Sequence, residues 1–266
     1  MAPSGIITLT TDFGEKDPYV AIMKGVILTV NTSARVVDIT HQVPAGSIYE
    51  GAMIIRDACK WFPHGTVHLV VIDPGVGGKR RPVLVFTENY FFVGPDNGLL
   101  WHAAKEEKSV EVIHLKEEKY WLHEVSSTFH GRDIFAPVAA HVSNGINPFF
   151  MGEKIDDLVS LDCSPPIEKD NELVGQITRV DHFGNLITNI TEKDLMPFLE
   201  SKDFEIQVKG LSLKKINISY SEVPEGHPMA LIGSSKFLEI SVNRGNLSNY
   251  LNRKVKIGTK VIIRRN

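Results

Sequence analysis

Short β-branched runs alternate with helically spaced apolar stretches through the first half of this 266-residue chain, and that alternation limits its fold more than any single motif. Ile6-Ile7-Thr8-Leu9-Thr10 reads as a strand, and Asp17-Pro18 as the cap of a helix carrying Val20, Ile22, Met23, Val26 and Ile27. Val36 to Ile39 repeats the strand and Ser47 to Trp61 the helix. Val67-His68-Leu69-Val70-Val71-Ile72 is an almost unbroken apolar run, as found where a strand is covered on both faces. Pro82 to Thr87 and Tyr90 to Val93 predict a hairpin around Glu88-Asn89. A helix through Leu99, Leu100 and Ala103 follows, then a strand near Val110 to Leu115 and a helix over Gly131 to Ser143, which Pro137 either kinks or opens. Such alternation predicts an α/β domain with a mainly parallel sheet.

The texture changes around Leu158 to Asp170, where Cys163-Ser164-Pro165-Pro166-Ile167-Glu168-Lys169-Asp170 reads as a linker. The expected division is an N-terminal α/β domain at 1–165 and a C-terminal antiparallel β-barrel-like domain at 172–266. The second half offers seven strand-like runs: Val174 to Val180, Leu186 to Ile190, Phe204 to Val208, Leu211 to Ile218, Met229 to Ile232, Phe237 to Val242 and Val255 to Ile263.

Composition narrows the partners. With 29 basic and 32 acidic residues the net charge is −3, which excludes a polycationic nucleic-acid coat. No apolar run approaches the roughly 18 residues of a membrane span. The two cysteines, Cys59 and Cys163, have neither the number nor the spacing of a disulfide framework or a zinc site. A cytoplasmic protein that binds neither nucleic acid nor membrane is the expectation.

In α/β sheets ligands bind beyond the carboxyl ends of the strands. Asp12, after the first strand, could accept bonds from ribose hydroxyls or merely satisfy loop amides. Asp73 opens the glycine-rich turn Asp73-Pro74-Gly75-Val76-Gly77-Gly78, which lacks the lysine and hydroxyl of a phosphate loop, so a nucleoside-triphosphate site is rejected. Lys79-Arg80-Arg81 reads most simply as a solvated basic patch. His130, in Thr128-Phe129-His130-Gly131-Arg132-Asp133 ahead of a helix, is the best candidate for proton handling, or else a packed or capping histidine. A metal cluster of Asp12, Asp73, His130 and Asp133, serving a phosphohydrolase, has no short-range ligand spacing behind it. Asp181-His182-Phe183-Gly184-Asn185 joins acid, ring and amide at a turn, as a purine nucleoside would need, or is a plain β-turn with Gly184 or Asn185 left-handed. Gly233-Ser234-Ser235-Lys236-Phe237-Leu238-Glu239-Ile240 reads alone as solvent-facing alternation.

Taken in order, Thr11-Asp12-Phe13-Gly14, Val71-Ile72-Asp73-Pro74-Gly75-Val76-Gly77, Gly94-Pro95-Asp96-Asn97-Gly98-Leu99-Leu100, Thr128 to Asp133, Asp181 to Asn185 and Leu238 to Asn243 resemble the S-adenosylmethionine (SAM) hydroxide adenosyltransferase family, adenosine-forming SAM hydrolases related to fluorinating and chlorinating enzymes. The resemblance implies a homotrimer, with substrate between the N-terminal domain of one subunit and the C-terminal domain of its neighbour. It puts the family's catalytic Asp-Arg-His set on Asp73, Arg80 and His130 and its ribose acid on Asp12. Phe129, Asp181, Phe183 and Asn185 match positions lining the nucleoside and methionine sites; Ser234, Glu239 and Val242 match the segment around adenine and the amino acid. It implies hydrolysis of SAM, the substrate, to adenosine and L-methionine by in-line attack of water on ribose C5′, with no metal and no cofactor. Halogenating relatives lack the Asp-Arg-His set, and Asp73 would repel a halide. Asp73 is the expected water-facing carboxylate, with the final holder of the proton, Asp73 or His130, left open. Lys236 stands where the family has glycine, which keeps in view an alternative: a catalytically idle sensor that binds adenosine or SAM.

Overall fold

Every residue from Ile7 to Thr11 is buried in the first strand, β1 (Ile6–Thr11), a pattern that places the strand inside a sheet covered on both faces. The structure is a computed structural model describing residues 1–162, 164–199, 203–252 and 255–265, and it divides into two units, Met1–Leu161 and Asp162–Asn266. Cys163 lies outside the described residues; Cys59 is a buried free thiol.

After β1 the first unit runs through α1 (Tyr19–Val30), β2 (Arg35–Thr40), α2 (Ile48–Cys59), β3 (Val67–Val71), β4 (Pro82–Phe86), β5 (Phe91–Pro95), α3 (Trp101–Lys105), β6 (Glu111–Leu115), α4 (Ala136–Ser143) and β7 (Gly152–Ile155). Among the described residues the sheet order is β2-β1-β3-β5-β4-β6-β7. β2, β1, β3 and β5 pair in parallel; β4 turns back against β5, and β6 and β7 continue antiparallel, so β2, β1, β3, β5 and β6 all run one way. Met23 and Ile27 of α1, with Val138, Ala139 and Val142 of α4, cover Ile7, Leu9, Leu69 and Val71. Ala139 apart, each such fully buried side chain is worth about 1.5–3 kcal/mol.

Two local expectations need correction. No side chain caps α1; Pro18 holds the N-cap position, where its missing N–H costs nothing. The Gly131 to Ser143 helix is two pieces, a π-helical turn over Gly131–Phe135 followed by α4 with Pro137 in its first turn. Proline cannot donate to the carbonyl four residues back, and the amide of Leu122 takes that Asp133 carbonyl at 2.9 Å instead.

The second unit contains β8 (Ile167–Lys169), β9 (Glu172–Val180), β10 (Leu186–Thr191), α5 (Glu192–Leu199), β11 (Phe204–Val208), β12 (Leu211–Leu213), β13 (Ile216–Asn217), β14 (Pro228–Ile232), β15 (Phe237–Val242), α6 (Leu247–Tyr250) and β16 (Lys260–Arg265). Its sheet follows β12-β11-β16-β9-β10-β15-β14-β13, with β8 on β9, is antiparallel except at β13–β14, and curls into a half-barrel. The expected linker contains β8, which pairs with β9. Leu211 to Ile218 splits into β12 and β13, and the last strand starts at Lys260 because Lys256 to Thr259 form a turn with Gly258 at φ +82°. α5 is an addition to the strands expected of this half. A capping box opens it, Thr191 Oγ1 accepting from the amide of Asp194 at 3.1 Å and Asp194 Oδ2 from that of Thr191 at 2.9 Å. Among the described residues, no helix is long and apolar enough to cross a membrane.

Candidate active site

Asp12, Asp73 and His130 reach one end of the first unit's sheet from three loops. After β3, the Ile72 carbonyl accepts from Asn97 Nδ2 at 3.0 Å, which fixes the backbone entering Asp73. The chain then folds back through Val76 N–H to Asp73 C=O (3.2 Å) and Gly78 N–H to Gly75 C=O (3.0 Å). Gly77, at φ +74°, lies so close to the 126–130 loop that a Cβ there would stand 2.2 Å from the Ser127 carbonyl oxygen. That loop is anchored by the Ser126 amide on Asp133 Oδ2 (2.8 Å), and Asp133, only 1 % exposed, is held in turn by Arg132. His130 sits just before the π-helical turn, a feature frequent at functional sites.

Arg80 joins the set. Its Nε donates to both oxygens of Asp73 at 3.0 Å, and its terminal NH2 donates to Asp73 Oδ2 at 2.5 Å and lies 2.6 Å from His130 Nδ1. The Asp73 and Arg80 side chains are 5 % and 9 % exposed, and the guanidinium also packs over the Phe135 ring. The expected solvated patch at Lys79-Arg80-Arg81 is therefore corrected: Arg80 is buried in this ion pair, and Arg81 binds Asp96 and Asp157. A guanidinium only donates, so His130 Nδ1 accepts and the neutral ring carries its proton on Nε2. Burial and the neighbouring Arg80 charge push His130 below the usual imidazole range, against an opposing pull from Asp73, Asp133 and the Ser126 carbonyl.

A cavity of about 460 Å³ opens beside these groups, lined among others by Phe13, Tyr19, Asp73, Thr128, Phe129 and His130. Phe13, Tyr19 and Phe129 meet edge to face with centroids 5.3–6.0 Å apart. Three such rings offer electron-rich faces to a cation. Tyr19 is not legible as a site residue in the sequence, because it opens α1 next to Pro18 with no local motif around it. Asp12 lies beside this set, its Oδ2 accepting from the amide of Gly46 at 2.7 Å.

The second unit has its own cavity, about 430 Å³, lined by Asp181, Phe183, Asn185, Ser234 and Glu239 together with Tyr220. Asp181 grips Asn185 twice at 2.9 Å, through backbone amide and side-chain amide, across a turn with Gly184 at φ +84°. Glu239 Oε1 accepts from Tyr220 and Ser241 hydroxyls, both at 2.6 Å, and burial, with the Glu239 contact, pushes the Tyr220 phenol well above its ordinary range and keeps it neutral. Val242 stands apart, packed into this unit's core at 5 % exposure. Gly233 to Ile240 is no solvent-facing alternation, since β15 is buried along nearly its whole length. Lys236 takes φ +66°, the left-handed conformation a glycine would adopt, and donates its amide to Gly233 C=O at 2.9 Å. The hairpin path is thus kept despite the side chain.

The family model of the SAM hydroxide adenosyltransferase N-terminal domain matches residues 7–152, and that of the C-terminal domain residues 175–261. The (R)-S-adenosyl-L-methionine hydrolase of Methanocaldococcus jannaschii is 38 % identical over 259 residues, covering 93 % of this chain and 92 % of that protein. The protein of the same name from Salinispora tropica is 33 % identical over 254 residues, 94 % and 95 % of the two chains. The crystal structure of an uncharacterized conserved protein from Thermotoga maritima superposes with a TM-score of 0.90 at 34 % identity, over 98 % of this chain and all of that one. With both domains matched in order and the fold shared, this chain belongs to the SAM hydroxide adenosyltransferase family.

Proposed function

We propose that the protein hydrolyses S-adenosyl-L-methionine to adenosine and L-methionine, and that the observation carrying the mechanism is the single guanidinium of Arg80 that bridges Asp73 and His130 at the edge of an aromatic cavity. Water attacks ribose C5′ opposite the sulfonium. The O–C5′ bond forms while the C5′–S bond breaks, its electron pair going to sulfur to give the neutral thioether of methionine, and one water proton leaves.

His130 Nδ1 is occupied by Arg80, so the ring acts as a donor through Nε2 and the departing proton goes to Asp73. Of the two carboxylate oxygens, Oδ1 holds one Arg80 contact and Oδ2 two, which makes Oδ1 the freer acceptor. Work of this kind contributes about 10²- to 10⁴-fold, and holding water at near-attack distance adds to it. The rings of Phe13, Tyr19 and Phe129 suit a sulfonium, whose charge vanishes on the way to products; a low-dielectric pocket favours that neutralisation. Asp73 disfavours halide as the nucleophile. Asp12 is the ribose acceptor in this reading, and the reaction as written takes no metal and no cofactor.

The same reading extends to a homotrimer in which substrate meets the first unit of one subunit and the second unit of the next. Phe183, at the mouth of the second cavity, is 72 % exposed, as a ring that stacks on an incoming nucleoside would be. Incubation with SAM in ¹⁸O-water tests the function: adenosine carrying the label at its 5′-oxygen is expected, and unlabelled adenosine, or none, overturns it.

A further inference from the structure

Thr11 ends β1 fully buried, its hydroxyl between the amide of Phe13 (3.3 Å) and Nδ1 of His41 (2.9 Å). His41 is itself 4 % exposed, and its Nε2 lies 3.0 Å from Asp38 Oδ1, off the N–H axis, while Asp38 Oδ2 accepts from Lys24 at 2.6 Å. Burial works against the Asp38 charge, yet Lys24 and His41 outweigh it and hold that carboxyl below its ordinary range. A carboxylate only accepts, so it favours the ring proton on Nε2. Nδ1 then accepts from the Thr11 hydroxyl, whose oxygen in turn takes the Phe13 N–H.

The His41 backbone grips the same loop from its other end, its carbonyl accepting from Gly14 N–H at 2.8 Å with Gly14 at φ +67°. Further along, the amide of Gly46 donates to Asp12 Oδ2 at 2.7 Å. Residues 11–14 are thus fastened to residues 41–46 on both sides of Asp12 and Phe13. One of these is the ribose acceptor of the reading above and the other a wall of the aromatic cavity. A recognition loop must be held to a fraction of an ångström by groups behind it, and His41 reaches this loop through a buried ring nitrogen and a backbone carbonyl together.

We propose that His41 is a positioning residue for ribose recognition, acting through Thr11 on the Asp12-Phe13 loop without touching substrate. The inference rests on the reading of the site as one that binds SAM with Asp12 on the ribose.

Calorimetric titration with adenosine and with 2′,3′-dideoxyadenosine tests it, in wild type, His41→Phe, His41→Asn and Thr11→Val, each first checked for folding by circular dichroism. Wild type is expected to prefer adenosine by about tenfold or more, the worth of hydrogen bonds to an ionised acceptor. His41→Phe and Thr11→Val reduce that preference by about fivefold while affinity for the dideoxy compound stays within about twofold, and His41→Asn, whose amide oxygen can replace Nδ1 as acceptor, restores most of it. Equal losses for the two nucleosides, or an unchanged preference in the folded variants, overturn the positioning role and leave the functional reading standing. Should His41→Phe fail to fold, Thr11→Val alone decides. Wild-type protein that neither binds adenosine nor turns over SAM overturns both.

Discussion

Replacing Arg80 by methionine keeps an unbranched apolar stem against Phe135 and removes the fork that joins Asp73 to His130. Asp73 then remains 5 % exposed in a site whose cation is gone. Breaking such a buried pair from one side costs about 3–5 kcal/mol, because the stranded charge has lost both water and partner. For a unit of this size each kcal/mol moves the melting midpoint by about 2–4 °C, so a fall of about 6–20 °C is expected. Adding Asp73→Asn to the same chain removes the stranded charge, and the double variant melts above Arg80→Met alone, giving a coupling energy of about 1 kcal/mol or more. Turnover follows a different order. Both single variants and the double variant lose about 10²- to 10⁴-fold, so stability returns without activity. Thermal unfolding by circular dichroism, paired with adenosine release from SAM, reads both quantities. An Arg80→Met protein that melts within about 2 °C of wild type, or a double variant that melts below both singles, refutes the account of a buried ion pair supporting the site.

Two further outcomes concern stability alone. His68, fully buried, with Nδ1 2.7 Å from Thr8 Oγ1, is pushed by desolvation from 6.5 to about 3, so the unfolded chain takes up its proton first and stability falls as pH drops from 6.5 towards 3. At pH 4 the loss from this group is about 3 kcal/mol; a Thr8→Val, His68→Phe variant is expected to flatten the curve of urea midpoint against pH, and an unchanged slope rules the account out. Lys236→Gly relieves a left-handed lysine whose ion pair with Glu192 is mostly exposed (72 % and 42 %), and should raise stability by about 1 kcal/mol, whereas a lowered urea midpoint contradicts the strain argument.

Much of the first unit is readable in the chain because a strand buried on both faces must be apolar on both faces. Val67 to Val71 shows that requirement directly, and the β4–β5 hairpin announces itself through the break at Glu88-Asn89. The second unit hides more. β8 is three residues of mixed polarity whose strand character comes entirely from pairing with β9, and Pro197 inside α5 masks a helix that only the Thr191-to-Asp194 capping box reveals. Leu211 to Ile218 looks continuous because the apolar pattern spans Lys214-Lys215, where pairing lapses between β12 and β13.

The site follows the same rule, and the reason is geometric. Arg80 stands in a basic triplet that local charge alone assigns to solvent; its burial follows from the turn after Asp73, where Gly77 at φ +74° passes against the 126–130 loop, so that the guanidinium faces Asp73, seven positions earlier, and His130, fifty later. A Cβ at Gly77 would collide with the Ser127 carbonyl, and one at Gly131 would press within 3.3 Å of Met23 and Phe129. Glycines that look like turn punctuation are thus the positions at which separate loops come into contact. A chain that needs Asp, Arg and His from distant segments at hydrogen-bond distance must remove side chains from the backbone between them. Gly77 and Gly131 are therefore as much a part of the site's construction as the Asp, Arg and His they bring within reach.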